Sequence, residues 1–316
     1  MKYFLKNCLL FGLCMLTAGF AIELYLLGVS NEYAYKRKYV ESCGEKIKIL
    51  TLGHSHAANG IDPRCLGDSA FNMATSGRNV YYDAVLLKRY APRLNNLACV
   101  IWPLGYNFQY ESYRFPLPQP ANSKRSVHFS SYRCMFEKYM DIPYDRQLPY
   151  LYWSELINSN FNYGQRIFTK DFETLHQCDS LGQEKLTVAQ KSLYWQMDVL
   201  PEKIDYNHPN AKKAFHQNLS YMRQIAETCR DRQVRLLVVT FPCYSTYTER
   251  VTPRGMREMY ACVDSMKAVY PELEYYNYMA DPRFVDDDFY NASHLTDQGA
   301  EKITGILRRI IEAGGQ

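Results

Sequence analysis

The chain of 316 residues has no C-x-x-C pair, although it contains ten cysteines. Cys8 and Cys14 lie in an apolar N-terminal run, and the other eight are scattered singly. That pattern lacks the paired spacing of a zinc site, so no metal is expected. It leaves room for one or two disulfides, whose partners spacing does not reveal. An excess of one charge is also missing: 22% of residues are charged and the formal net charge is +4. With no Lys/Arg stripe and no stacking-aromatic motif, nucleic acid is not an expected partner. Repeats and low-complexity tracts are absent, which excludes a repeat array.

What the chain does have begins at its N-terminus. Lys2 and Lys6 precede CLLFGLCMLTAGFAIELYLLGV, Cys8 to Val29, interrupted by Glu23 and a few small polar residues. That length suits a bilayer span and exceeds the usual core of a signal peptide. No small-residue cleavage site follows, and Leu13 before Cys14 does not suit lipoprotein processing. The reading is an uncleaved anchor over 1–30; a cleaved secretion signal is the competing reading. Lys2 and Lys6 are balanced by Lys36, Arg37 and Lys38, so the positive-inside rule gives no orientation. A polar stalk is expected over 31–45, and a single α/β domain over 46–316.

Within that domain, strand-like and helix-like segments alternate. Strands are expected at Lys46 to Gly53, Ser69 to Ala74, Ala98 to Leu104, Arg235 to Pro242 and Glu272 to Tyr278. Helices are expected at Val80 to Leu94, from about Asn210 to Arg232, and after an N-cap at Thr296. This order implies βαβ units and a largely parallel sheet covered on both faces. Ligands of such sheets sit beyond the carboxyl ends of the strands. Gly53-His54-Ser55, Gly77 and Gly105-Tyr106-Asn107 all fall just after expected strands, which marks them as one site. From about 108 to 206 the pattern gives way to Pro-, Tyr- and Trp-rich sequence, read as an inserted lid or recognition region. Many of the 28 tyrosines lie between Tyr106 and Tyr163. They suit either a carbohydrate-contacting face or the rim of an ordinary core.

Acyl transfer needs a nucleophile, a base and donors for an oxyanion. Ser55 is the candidate nucleophile. His294, in DDFYNASHLTDQGA, is the candidate base, since order along the chain is free. Its place before the last helix favours the neutral imidazole. The Ser55 amide, the Gly77 amide and the Asn107 side chain are the candidate oxyanion donors. His54 and His56 lack a third ligand at metal spacing. Cys243, after the fourth strand, has no base in its local sequence and is read as structural.

These residues resemble the SGNH (GDSL-like) hydrolases. Gly53-His54-Ser55 matches the first block of that family, Gly77 in NMATSGRN the second, and Asn107 loosely the third. The last block, Asp-x-x-His, stands here as Asn291-Ala-Ser-His294. GHSHAANGIDP and HLTDQGAEKIT are similar to the membrane-anchored branch acting on cell-envelope polymers, in alginate acetylation and teichoic-acid D-alanylation. The resemblance covers the strand-end motifs and both ends of the domain, not the 108–206 insertion. It implies a three-layer, flavodoxin-like α/β fold and a Ser-His acyl-enzyme mechanism without a cofactor. It also implies an extracytoplasmic domain, a carbohydrate substrate and a membrane-bound O-acyltransferase as partner. Asn291 departs from the family, and an Asp-to-Asn change at the equivalent place in serine proteases costs about 10⁴ in rate. Asp288 or Asp287 is the expected replacement acid, Asp288 preferred; Asn291 as an orienting amide and a Ser-His dyad are the alternatives. Loss of catalysis, leaving a polysaccharide-binding or assembly protein, is the rival reading.

Overall fold

A computed structural model describes residues 1–112, 114–115, 117, 133, 135–143 and 176–314. Strand β1 (Ile49–Thr51) is followed by helix α3 (Ser55–Gly60), strand β2 (Ala70–Asn72), helix α4 (Val80–Tyr90) and strand β3 (Cys99–Pro103). The second half holds α5 (Pro209–Asp231), β4 (Arg235–Thr240), α6 (Pro253–Lys267), β5 (Glu274–Asn277) and α7 (Asp297–Ala313). Two helices precede the sheet, α1 (Lys2–Leu27) and α2 (Glu32–Cys43). The strands form a parallel sheet of order β2-β1-β3-β4-β5. This is the flavodoxin-like order, and its switch point lies between β1 and β3.

Strand alternation sorts the core into two layers, because successive side chains of a strand point to opposite faces. Val100, Trp102, Leu236 and Val238 pack with Leu86 and Leu87 of α4, Ile225 of α5 and Met259 of α6. Cys99, Ile101, Leu237 and Val239 face the other way, onto Ala57 and Ala58 of α3 and Ile303 and Leu307 of α7. The result is a three-layer α/β fold. Thr296 caps α7, its Oγ1 accepting from the Gly299 amide. Helix α4 stops at Tyr90 rather than running to Leu94, because Pro92 lacks the amide that would continue it.

The polar stalk expected over 31–45 is instead the packed helix α2. Asn31 caps it, accepting from the Ala34 amide at 3.0 Å. Tyr33, Lys36 and Val40 recur at helical spacing and are fully buried. The Tyr33 ring packs edge-on against Phe136, and Tyr39 stacks on Phe71 with centroids 4.0 Å apart. Hydropathy missed this face because a buried lysine sits in its middle. Helix α1, in contrast, is exposed along nearly all of its length, with Leu26 buried at its end. It is long and apolar enough to cross a membrane.

About half of the inserted region expected over 108–206 falls outside the described residues, as does most of the tyrosine-rich stretch. Its described end, from His176 onward, runs along α2 and α3: Tyr35 Oη donates to the Ser180 carbonyl, and the Glu184 amide to Ala58. The nine described cysteines are all free.

Candidate active site

Strand β1 delivers the chain to Gly53, whose φ of +113° puts it in the left-handed region. A Cβ there would lie 2.1 Å from Pro103 Cγ, so only glycine passes under β3 at this point. The Gly53 amide donates to Asp83 Oδ1 at 3.0 Å, and its carbonyl accepts from the Thr75 amide. His54 then caps α3, and Ser55 opens its first turn. The buried Asn72 side chain holds the far end of α3 through the carbonyls of Ala57 and Ile61.

On the opposite wall, the loop before α7 folds back on itself through the Phe289–Leu295 bridge and presents His294. Its Nε2 lies 2.7 Å from Ser55 Oγ, bridging 239 positions of sequence. Its Nδ1 lies 2.9 Å from Asn291 Oδ1 and 3.1 Å from Ser293 Oγ. Asn291 Oδ1 also accepts the backbone amides of Ser293 and His294, at 3.1 and 2.9 Å. Two backbone donors on one atom identify that atom as the amide oxygen. An oxygen facing Nδ1 is an acceptor, so Nδ1 carries the hydrogen and Nε2 is left bare to accept the Ser55 hydroxyl proton. This is the tautomer that general-base chemistry needs.

The acid expected at Asp288 is not at the histidine. Its carboxylate accepts from the Val285 amide at 2.8 Å and pairs with Lys302, which fixes the turn leading into the loop. Asp287 contributes its carbonyl to Thr296 Oγ1. Among the described residues no carboxylate hydrogen-bonds His294. Asn291 occupies the position from which an acid would act.

Of the expected oxyanion donors, the Ser55 amide belongs to the first turn of α3, where helical N–H groups have no intrahelical partner. Gly77 lies at φ +73° in the turn after β2. Asn107, left-handed at φ +65°, donates one amide N–H to the Glu202 carbonyl at 3.2 Å and accepts from Tyr206 Oη at 2.9 Å. Tyr206 and Glu202 thus fix the orientation of its side chain, leaving one N–H.

His54 and His56 flank the serine. The His56 ring stands edge-on to His294 at 5.1 Å and to His54 at 4.7 Å. Burial pushes all three imidazoles toward the neutral form, His294 down to about 4 and His54 down to about 3. Among the described residues no group of three His, Cys, Asp or Glu stands where it would hold a metal ion. Cys243 is buried and its thiol is pushed up to about 12, so it is held protonated, as befits a structural role.

The motif reading passed over the residues beneath the site. Asp83 and Arg78 are both fully buried. Asp83 accepts from the Gly53 amide, from Trp102 Nε1 at 2.8 Å and from Arg78 at 3.3 Å. Arg78 further donates to the Met73 carbonyl and to Thr75 Oγ1. In sequence both resemble ordinary polar residues at the start of a helix; the one available signal is two opposite charges close to the Gly77 turn.

No protein-family model and no curated protein matches the chain. Among solved structures it is similar to a GDSL-like lipase from Bacteroides thetaiotaomicron, at 9% identity and a TM-score of 0.41, covering 90% of this chain and 100% of that one. It is likewise similar to a "putative acylhydrolase" from Bacteroides fragilis, at 8% identity and a TM-score of 0.41, covering 88% and 96%.

Proposed function

We propose that the protein is a serine ester hydrolase or O-acyltransferase of SGNH type. The observation that carries this is the 2.7 Å contact between Ser55 Oγ and His294 Nε2, with Asn291 fixing the tautomer. His294 takes the Ser55 proton as Oγ attacks the ester carbonyl. The oxyanion is received by the Ser55 amide, the Gly77 turn and the second N–H of Asn107. The imidazolium then protonates the departing alkoxide, leaving an acyl-serine. Water or a sugar hydroxyl, deprotonated by His294, attacks that ester and regenerates Ser55.

The wider setting is proposed on the motif resemblance and the apolar α1. Helix α1 anchors the chain, the domain lies outside the cytoplasm, and the substrate is an acyl ester of cell-envelope carbohydrate. The partner of the resembled branch is a membrane-bound O-acyltransferase. The rival reading, a polysaccharide-binding or assembly protein without catalysis, is favoured by one observation: the position of the acid holds an uncharged amide.

A fluorophosphonate probe separates the two. The expected result is a Ser55 adduct, located by mass spectrometry, that is lost in Ser55→Ala and forms far more slowly in His294→Ala. A folded chain that gives no adduct points to the binding protein.

A further inference from the structure

Lys36 is completely buried, yet it belongs to α2, the helix that follows the apolar segment. Its ammonium donates to the carbonyl of Ala74 and pairs with Glu184 Oε1 at 3.5 Å. The other oxygen of the same carboxylate, Oε2, accepts from Ser76 Oγ at 2.8 Å. Ala74 and Ser76 bracket the start of the turn that carries Gly77. Glu184 is meanwhile fastened to the nucleophile helix through its backbone. Its amide donates to Ala58 at 3.0 Å, and its carbonyl accepts from Asn59 Nδ2 at 2.7 Å. One residue therefore touches α2, the Gly77 turn and the helix opened by Ser55.

A buried ammonium is costly unless it is paired, and Lys36 is paired to a carboxylate that also binds the turn. We infer that Lys36 and Glu184 are positioning residues that fix the Ser76-Gly77 turn against the Ser55 helix, making α2 part of the catalytic unit. This rests on the esterase reading for its effect on rate, but not for its effect on the turn. Donors for an oxyanion must be aligned in advance, and a displacement of about 1 Å can cost about 10²-fold. Tyr35 of α2, bonded to the Ser180 carbonyl, and Ser30, just before α2, bonded to His176 at 2.6 Å, fasten the chain leading to Glu184 at the start of the same helix.

The test uses the full chain in detergent micelles, with two readouts on wild type, Ser76→Ala and the paired Lys36→Met/Glu184→Gln variant. The first is amide hydrogen exchange over residues 74–79, which does not depend on catalysis. Both variants are expected to exchange faster there while exchange in β3 and β4 is unchanged. The second is saturation kinetics with a fluorophosphonate. The expected result is a fall of about 10- to 100-fold in the limiting rate for the paired variant and about threefold or more for Ser76→Ala, with little change in the half-saturating concentration. The pH midpoint of labelling should stay in place, since the base is untouched. Unchanged exchange over 74–79 in both variants overturns the inference. So does a limiting rate within twofold of wild type. Wild-type chain that is not labelled at all counts instead against the esterase reading, and the exchange experiment still decides the positioning role.

Discussion

The proposed reacting end of the molecule and the layer directly beneath it use charge in opposite ways. At the surface of the site, Ser55, His294 and Asn291 form a relay without a single formal charge, and burial keeps the neighbouring histidines neutral. Beneath it, buried Asp83 pairs with buried Arg78, and buried Lys36 pairs with the partly exposed Glu184; these pairs hold the Gly53 turn and the Ser76-Gly77 turn. The contrast shows where rigidity is needed most. A buried ion pair makes several directional bonds to backbone groups at once, so it fixes two loops whose spacing the chemistry depends on. The base needs only the right tautomer, which an amide pinned by two backbone N–H groups supplies.

The largest effects should come from breaking the relay. Ser55→Ala abolishes fluorophosphonate labelling, and His294→Ala lowers the labelling rate by about 10²- to 10⁴-fold, the usual contribution of a general base. Neither should lower thermal stability much, which circular dichroism would check. Breaking the lower layer reverses that pattern. Asp83→Ala leaves Arg78 buried and unpaired and is expected to destabilise the fold by about 3–5 kcal/mol in denaturant unfolding. An equal loss of labelling without unfolding would show that the lower layer acts on chemistry alone. Gly53→Ala, which forces a Cβ against Pro103 at positive φ, should cost about 1–3 kcal/mol from backbone strain, and more from the clash.

A smaller and more diagnostic change is Asn291→Asp, which brings charge into the uncharged layer. A charge-assisted bond exceeds a neutral one by about 1–1.5 kcal/mol, so labelling should accelerate roughly tenfold. The same carboxylate favours the imidazolium, so the acidic limb of the pH–rate profile, expected near 4 for the buried wild-type imidazole, should move upward. A rate that falls in Asn291→Asp would mean that the amide is required rather than tolerated.

The subtlest expectation concerns stability and pH. His54 and His294 are held neutral in the fold, at about 3 and about 4, against an ordinary value near 6.5. Between those values the unfolded chain binds more protons than the folded one, so stability rises with pH across that window. The contribution is fully present above about 6.5 and is lost as pH falls toward 4. Thermal melts from pH 7 to pH 4 should show the loss, and replacing His54 by Gln should reduce the slope.

The sequence determined a good deal of this molecule. Alternating strand and helix patterns set the parallel sheet, and the turns after β1, β2 and β3 follow from glycine and asparagine at left-handed positions. That Ser55 and His294 belong together was legible because strand ends and the start of the last helix leave local signals, and the fold brings the two side chains to 2.7 Å. Which group stands on His294 Nδ1 was decided only by tertiary structure. Asp288 and Asn291 are three residues apart in one loop, and Lys302, from the next helix, draws Asp288 away. The α2 helix and its lysine were equally hidden. Local hydropathy reads Lys36 as solvent-facing, whereas its burial depends on Glu184 and the Ala74 carbonyl, partners 148 and 38 positions away. Polar residues are placed by partners rather than by periodicity, and partners meet only when the chain has folded.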